Sequence, residues 1–258
     1  MHLKEVTLNG GGDDQYPFSL PLIQSFGTLR FEKPVTILVG DNGTGKTTLL
    51  EGIAVHTGSR LIGGENIDSD PSLEPARRLA EAMKLTWSAK TREGFFFRAS
   101  DFISFTRRTA REKKESEEKL HEIRAKDPHS LEVLPYARTV SDLKHFYGDG
   151  LDVRSHGESF LDLFQARFRP GGLYLLDEPE APLSPLKQLS LISMINGMTE
   201  ENGQFIIATH SPILMAVPGA DLRVIENGVM KSARYDELEH VRLTRDFLNN
   251  PGQFLRHL

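Results

Sequence analysis

Hydrophobic residues gather in short runs that are separated by polar, helix-like stretches. The runs rich in β-forming residues are 35–39, 95–97, 173–176, 205–208 and 222–225. Several of these runs are continuous rather than alternating, which is typical of strands buried on both faces. Stretches with helical spacing lie between them at 46–55, 158–168 and 186–198. Strands that alternate with helices predict an α/β fold with a mixed, mostly parallel sheet.

The middle of the chain has a different pattern. Residues 106–126 are strongly charged with few apolar positions, and residues 84–126 hold 12 Lys or Arg against 7 Asp or Glu. This local charge of +5 leaves −10 for the remainder of a chain whose net charge is −5. The pattern favours a solvated helical hairpin within an insertion at 98–150. A basic surface for nucleic acid or an acidic partner is the alternative.

Composition excludes several classes of chemistry. The chain has 258 residues and no cysteine, so disulfides, zinc–thiolate sites and cysteine nucleophiles are excluded. Its length fits a single domain spanning 1–258. No apolar stretch approaches the ~20 residues that span a bilayer, and residues 1–8 alternate like a strand instead of forming a signal peptide. We therefore expect a cytoplasmic protein without membrane insertion.

A phosphate-binding loop follows the first buried run. Residues 40–47 read GDNGTGKT, which matches G-x-x-x-x-G-K-[ST] between a predicted strand and a predicted helix. Lys46 is expected to bridge the β- and γ-phosphates of a nucleoside triphosphate, and Thr47 to ligate Mg²⁺. The residues predicted to contact the nucleotide here are Asp41, Asn42, Gly43, Thr44, Gly45, Lys46, Thr47 and Thr48.

Two adjacent acids end the run at 173–176. Asp177 is predicted to hold Mg²⁺ at the carboxyl end of its strand, and Glu178 to orient or deprotonate an attacking water. Glu180 has no comparable role, and we expect it on the surface.

Four motifs of the chain resemble those of the ABC-type ATPases, particularly the transporter-free branch near the SMC and recombination-repair ATPases. The P-loop and Leu-Leu-Asp-Glu-Pro carry the first half of the resemblance. The sequence SHGES at 155–159 is similar to the ABC signature, and ATHSP at 208–212 is similar to the switch-histidine motif. Their order agrees with the family, since Ser155 precedes Asp177 by 22 residues and His210 follows Glu178 by 32.

The resemblance implies a composite site. In this family two ATP molecules are sandwiched in a head-to-tail dimer, so Ser155, Gly157 and Glu158 would contact the γ-phosphate bound by the partner protomer. His210 would contact the γ-phosphate or the attacking water. The implied cofactors are ATP and Mg²⁺, and the implied assembly is an ATP-dependent homodimer that acts on a protein partner or on DNA.

The sequence also departs from the family pattern. No glutamine occurs between Gln24 and Gln165, so the usual Mg²⁺-sensing glutamine is missing, and Ser100 or Asp101 are the candidates to replace it. The aromatic residue that stacks on adenine is open among four candidates, Tyr16, Phe18, Phe26 and Phe31. The charged stretch 106–126 is too short for the long coiled coil of SMC-like relatives.

Three functional hypotheses follow. The leading one is an ATPase whose ATP-bound form dimerises and whose hydrolysis releases the dimer. The alternative is a slowly hydrolysing, ATP-gated clamp or regulator that binds DNA or protein, motivated by the basic segment 84–126. The third, the ATPase subunit of a membrane transporter, is disfavoured by the missing glutamine.

Overall fold

Two β-sheets carry the apolar runs of the chain. The computed structural model describes residues 1–9, 14–62, 67, 70–147 and 156–256. The strands are β1 (Leu3–Leu8), β2 (Thr28–Arg30), β3 (Val35–Val39), β4 (Met83–Trp87), β5 (Gly94–Arg98), β6 (Leu173–Asp177), β7 (Gln204–Ala208), β8 (Asp221–Glu226) and β9 (Val229–Ser232).

Helices connect these strands. They are α1 (Pro21–Ser25), α2 (Lys46–Thr57), α3 (Glu74–Ala82), α4 (Ala99–Lys126), α5 (Leu134–Tyr147), α6 (His156–Arg167), α7 (Pro185–Glu200), α8 (Glu239–Asn249) and α9 (Pro251–Leu255). Short 3₁₀ turns occur at Pro71–Leu73, Leu131–Val133, Leu214–Ala216 and Tyr235–Glu237.

The larger sheet has six strands in the order β5-β6-β7-β3-β8-β9. Every pairing in it is parallel except the terminal β8–β9 pair, which is antiparallel. A second sheet of three antiparallel strands has the order β2-β1-β4. The predicted α/β fold with a mixed, mostly parallel sheet is confirmed.

The large sheet is buried on both faces, as the continuous apolar runs predict. Successive residues of β5 point to opposite sides: Phe95 and Phe97 join one apolar core, and Phe96 joins the other. In β6, Tyr174 and Leu175 divide between the two cores in the same way. Because side chains alternate across a strand, β5 and β6 each contribute to both apolar cores.

An aromatic cluster attaches α6 to the sheet. Phe164 is fully buried, and its ring centroid lies 5.4 Å from those of Phe95 and Phe97 and 4.4 Å from that of Phe160. The Phe97 and Phe160 rings meet edge-to-face at 5.0 Å. Such contacts add to the free energy gained by burying the rings. The cluster therefore fixes the position of α6, whose first turn carries most of the predicted signature motif.

The charged middle segment forms the helical pair α4 and α5, within the expected insertion at 98–150. Its charges largely pair along α4. Arg111 lies 2.9 Å from Glu115. Glu122 lies 2.7 Å from Lys119 and 3.0 Å from Lys126. This pairing agrees with the hypothesis of a solvated hairpin. Among the described helices, including this long pair, none is both long and apolar enough to cross a membrane.

Truncation of Phe164 tests the role of the aromatic cluster. We expect Phe164→Ala to lower the free energy of unfolding by about 3–5 kcal/mol, because it removes a fully buried ring and leaves a cavity. Leu186→Ala is the control, since Leu186 is 72% exposed on α7, and it should cost less than about 0.5 kcal/mol. Urea unfolding followed by circular dichroism measures both values. Similar losses in the two variants would contradict the assignment.

Candidate nucleotide site

The predicted P-loop joins β3 to α2. Gly43 and Gly45 have φ of +79° and +97°, in the left-handed region that favours glycine. Gly45 is also the N-cap residue of α2, and a Cβ there would lie 3.3 Å from the Leu22 side chain. Such a turn ending at a helix N-terminus favours the binding of anions.

Lys46 lies at the centre of this loop and is 5% exposed. Its ammonium donates hydrogen bonds to the carbonyl oxygens of Gly40 at 2.6 Å and Asp41 at 2.9 Å. Burial lowers the pKa of Lys46, although the nearby carboxylates of Asp177 and Glu178 act in the opposite direction. The loop therefore holds the cation where phosphate groups would contact it.

Thr47 and Asp177 meet at the end of β6. The Thr47 hydroxyl lies 3.0 Å from both carboxylate oxygens of Asp177, which is 7% exposed. Burial raises the pKa of Asp177 to about 7, helped by the charges of Glu178 and Glu51 and opposed by the Thr47 hydrogen bond. A bound cation would offset the charge that burial disfavours.

The side-chain oxygens of Thr47 and Asp177 are suitable ligands for Mg²⁺. Hydroxyl and carboxylate oxygens are ligands that Mg²⁺ prefers, and the ion usually keeps several waters and substrate phosphates. A site with Thr47 and Asp177 as its two protein ligands therefore suits Mg²⁺ bound together with a triphosphate.

Glu178 follows Asp177 in a left-handed conformation. Its φ is +49°, unusual for a residue with a side chain, and its amide donates to the carbonyl of Ala208 at 2.9 Å. Left-handed residues of this kind often occur at functional sites. The Glu178 side chain is 44% exposed, and its Oε1 lies 3.8 Å from Nε2 of His210. The structure thus brings these two predicted catalytic groups together.

His210 follows β7 and lies partly buried. Its Nε2 is buried and has no hydrogen-bond partner among the described residues, while its Nδ1 lies 3.4 Å from Nε2 of His240. Burial, followed by the charge of Lys46, lowers the pKa of His210. The imidazole is therefore neutral near pH 7, with one nitrogen available to a ligand.

Glu180 corrects a prediction. We expected it on the surface, but its Oε1 accepts hydrogen bonds from the backbone amides of His210 at 2.7 Å and Ser211 at 3.2 Å. Burial raises its pKa. Glu180 therefore holds the switch-histidine loop against the turn that carries Glu178. No sequence signal identified this role, because the two segments are 30 residues apart.

A cavity of about 260 Å³ lies against the P-loop. Tyr16 lines it and is 46% exposed, and its hydroxyl lies 3.0 Å from that of Thr48. The other aromatic candidates are less available: Phe31 is buried, and Phe18 and Phe26 pack against the core. The remaining lining residues are Leu20, Asn42, Gly43, Gly45, Lys46, Thr47, Thr48 and Glu178.

Two residues predicted to contact the nucleotide, Thr44 and Asp41, do not line this cavity. Thr44 donates from its hydroxyl to the carbonyl of Asp41 at 2.8 Å, which closes the turn. The Asp41 carboxylate is 88% exposed, and its Oδ1 lies 3.9 Å from Nε2 of His240. Sequence reasoning missed His240, which has no motif around it.

The signature residues are only partly within the described structure. Ser155 lies outside the described residues. Gly157 and Glu158 belong to the first turn of α6, but their side chains are also outside the described part. Their predicted contact with a partner's nucleotide stays a prediction.

Arg98 lies in the stretch that corresponds to the family's glutamine, and it connects this stretch to three acidic residues. Its guanidinium lies 2.7 Å from Asp101, 3.1 Å from Glu51 and 2.5 Å from Asp70. Burial acts to lower the pKa of Arg98, but the three carboxylates outweigh this effect and raise it. Arg98 pairs with Asp177 across β5 and β6, so this network borders the site. Asp101, one of the two candidates to replace the glutamine, is therefore bound to Arg98.

Two family models match separate parts of the chain. The first, described as an AAA domain, matches residues 22–146. The second, an AAA domain whose description refers to the AbiEii toxin of a type IV TA system, matches residues 159–216. Both matching models describe AAA domains, so the two parts of the chain are similar to P-loop ATPase domains of this kind.

The curated relatives that match the chain include an ABC-type transporter and an import ATP-binding protein. The ABC-type transporter vrcC of Aspergillus aculeatus is 30% identical over 187 residues, which is 70% of this chain and 12% of the transporter. The cobalt import ATP-binding protein CbiO of Salmonella typhimurium is 24% identical over 233 residues, which is 83% of this chain and 79% of CbiO. The chain thus spans 12% of the length of the fungal transporter that it matches.

Solved structures share the fold at low identity. MJ1267, an ATP-binding cassette of an ABC transporter, has a TM-score of 0.52 and 18% identity, covering 96% of this chain and 98% of that one. An Smc head domain from Pyrococcus furiosus has a TM-score of 0.45 and 13% identity, covering 96% and 99%. The likeness to MJ1267 agrees with the predicted ABC-type fold and shows the fold alone.

Substitution of Glu180 tests its contacts with the switch-histidine loop. We expect Glu180→Ala to lower the free energy of unfolding by about 1–3 kcal/mol, because the amides of His210 and Ser211 lose their acceptor. Glu180→Gln keeps a carbonyl oxygen and should lose less than half of that. Urea unfolding of both variants measures the difference, and equal losses would show that the amide contacts are not the cause.

Proposed function

We propose that the protein binds ATP with Mg²⁺ and hydrolyses it to ADP and phosphate. The observation that supports this most directly is the convergence of Lys46, Thr47, Asp177, Glu178 and His210 at one edge of the sheet. They include a cation, an oxygen pair suited to Mg²⁺, and two groups able to move or hold a proton.

ATP binding uses the P-loop. Lys46 and the loop amides contact the β- and γ-phosphates, and the adenine base lies on the side of Tyr16. Thr47 and Asp177 would hold Mg²⁺, which when bound supplies positive charge beside the phosphates. The loop residues assigned to nucleotide contact are Asp41, Asn42, Gly43, Thr44, Gly45, Lys46, Thr47 and Thr48.

Hydrolysis transfers the γ-phosphoryl group to water. Glu178 orients the attacking water and accepts its proton as the oxygen bonds to the γ-phosphorus. The bond from phosphorus to the β,γ-bridging oxygen breaks, and ADP leaves. His210 donates a hydrogen bond from Nε2 to the γ-phosphate or the water. Positioning and charge neutralisation of this kind supply most of the catalysis in phosphoryl transfer.

The working unit is an ATP-dependent head-to-tail homodimer. One P-loop and one signature-like segment per chain leave each site incomplete, so Ser155, Gly157 and Glu158 of a second copy complete it. The position of α6 supports this role, because Gly157 and Glu158 lie in its first turn, where backbone amides favour a phosphate. Hydrolysis then releases the dimer and its protein or DNA client.

A Glu178→Gln variant tests hydrolysis and dimerisation together. The amide keeps the shape of the side chain but cannot accept the proton, so we expect ATP turnover to fall at least about a hundredfold. With ATP and Mg²⁺ the variant should elute as a dimer in size-exclusion chromatography with light scattering, and without ATP as a monomer.

The matched control adds Lys46→Ala to the same variant. Loss of the buried ammonium should abolish ATP binding in an isothermal titration and keep the protein monomeric. A Glu178→Gln protein that binds ATP but stays monomeric would overturn the dimer, and unchanged ATP binding after Lys46→Ala would overturn the P-loop assignment.

A second candidate function, nucleic-acid binding under ATP control, is favoured by one pocket. A cavity of about 240 Å³ lies at the C-terminal end of α2, and its charged and aromatic lining residues are Arg60, Trp87, Lys90, Arg92 and one acid, Glu93. Within the described residues, none of the three basic side chains has an ion-pair partner. The rise of the helix separates this pocket from Lys46 by about 18 Å. Unpaired cations beside an indole ring suit a phosphate backbone and its bases.

The double variant Lys90→Glu/Arg92→Glu tests this candidate. We expect it to weaken binding of single-stranded DNA and to reduce the slope of log K against log salt by about two, because two phosphate contacts are lost. Arg111→Glu/Lys114→Glu on α4 is the charge-matched control and should have a smaller effect, since both residues pair with glutamates. Fluorescence anisotropy with and without ATP measures this, and equal effects would reject the pocket.

A further inference from the structure

His240 lies beside the predicted catalytic histidine. It is the second residue of α8, and its Nε2 lies 3.4 Å from Nδ1 of His210. The two ring centroids are 5.5 Å apart. The same Nε2 is 3.9 Å from Oδ1 of Asp41, which is too long for a hydrogen bond. His210 is therefore the nearer hydrogen-bond partner for His240.

The contact limits where the proton of His210 lies. Two facing imidazole nitrogens form a hydrogen bond when one donates and the other accepts. A neutral imidazole carries one N–H, and burial lowers the pKa of His210 and so favours this neutral form. If Nδ1 accepts from His240, the proton of His210 lies on Nε2.

Nε2 is the nitrogen that the proposed reaction uses. It is buried without a partner among the described residues and lies 3.8 Å from Oε1 of Glu178. An N–H at this position can donate to the γ-phosphate or to the attacking water, whereas the other tautomer would present a lone pair to anionic oxygens and repel them.

We infer that His240 is a positioning residue that fixes the Nε2–H tautomer and the ring orientation of His210. This role rests on the proposed ATPase function. It also connects α8 to the nucleotide site, because a displacement of the start of α8 removes the hydrogen bond that selects the tautomer. Histidines that bind a ligand commonly have such a partner on the other ring nitrogen.

Two substitutions separate positioning from packing. His240→Leu fills similar space but cannot donate, and we expect kcat to fall about tenfold while KM changes less than twofold. His240→Gln keeps an N–H donor, and should restore most of kcat. His129→Leu, at an exposed histidine between α4 and α5, is the control and should match the wild type. Thermal unfolding checks that all variants remain folded.

Long-range ¹⁵N–¹H NMR reads the tautomer directly and needs no turnover. The His210 signals, assigned with a His210→Gln variant, should show the proton on Nε2 in the wild type and in His240→Gln. His240→Leu should show a mixture with the Nδ1–H form. A wild-type proton on Nδ1, or an unchanged tautomer in His240→Leu, would overturn the inference even if ATP binding and hydrolysis are intact. Absent turnover with the expected tautomers would instead overturn the proposed function alone.

Discussion

The parallel hydrogen bonds that join β6 to β7 and β7 to β3 determine the rest of the site. Ala208 pairs with Leu38 on one side and with Asp177 on the other, so three strands end side by side. The P-loop, the acidic pair and the switch histidine each follow one of these strand ends. Carboxyl ends of parallel strands at a sheet edge are a common position for ligands, because the loops after them converge there.

The convergence has an electrostatic consequence. Asp177, Glu178 and Glu180 gather around one buried cation, Lys46, and burial raises the pKa of both Asp177 and Glu180. A triphosphate alone would add further negative charge to this edge. Mg²⁺ bound with a nucleotide would offset both sets of charges, which is a physical reason for the two proposed ligands to bind together.

Residues next to one another in a motif were predictable, and contacts between distant segments were not. Gly43 to Thr47 and Asp177 with Glu178 were found because each group lies at the end of an apolar run. Glu180 and His240 were missed because their partner in each case, His210, is 30 residues away in the loop after β7. Arg98 was also missed: a basic residue at a strand end gives no sign of the three carboxylates that gather around it.

The charge pattern of the middle segment is a second case in which the sequence alone does not predict the contacts. Composition gives residues 84–126 a charge of +5 but cannot say which cations are available to a partner. On α4, a spacing of four residues places Arg111 beside Glu115, so cations there are offset within the helix. Lys90 and Arg92 lie in the loop before β5, outside any helix, and they line the same pocket as Arg60 and Glu93. Local net charge alone therefore does not predict which of these cations are available to an anion.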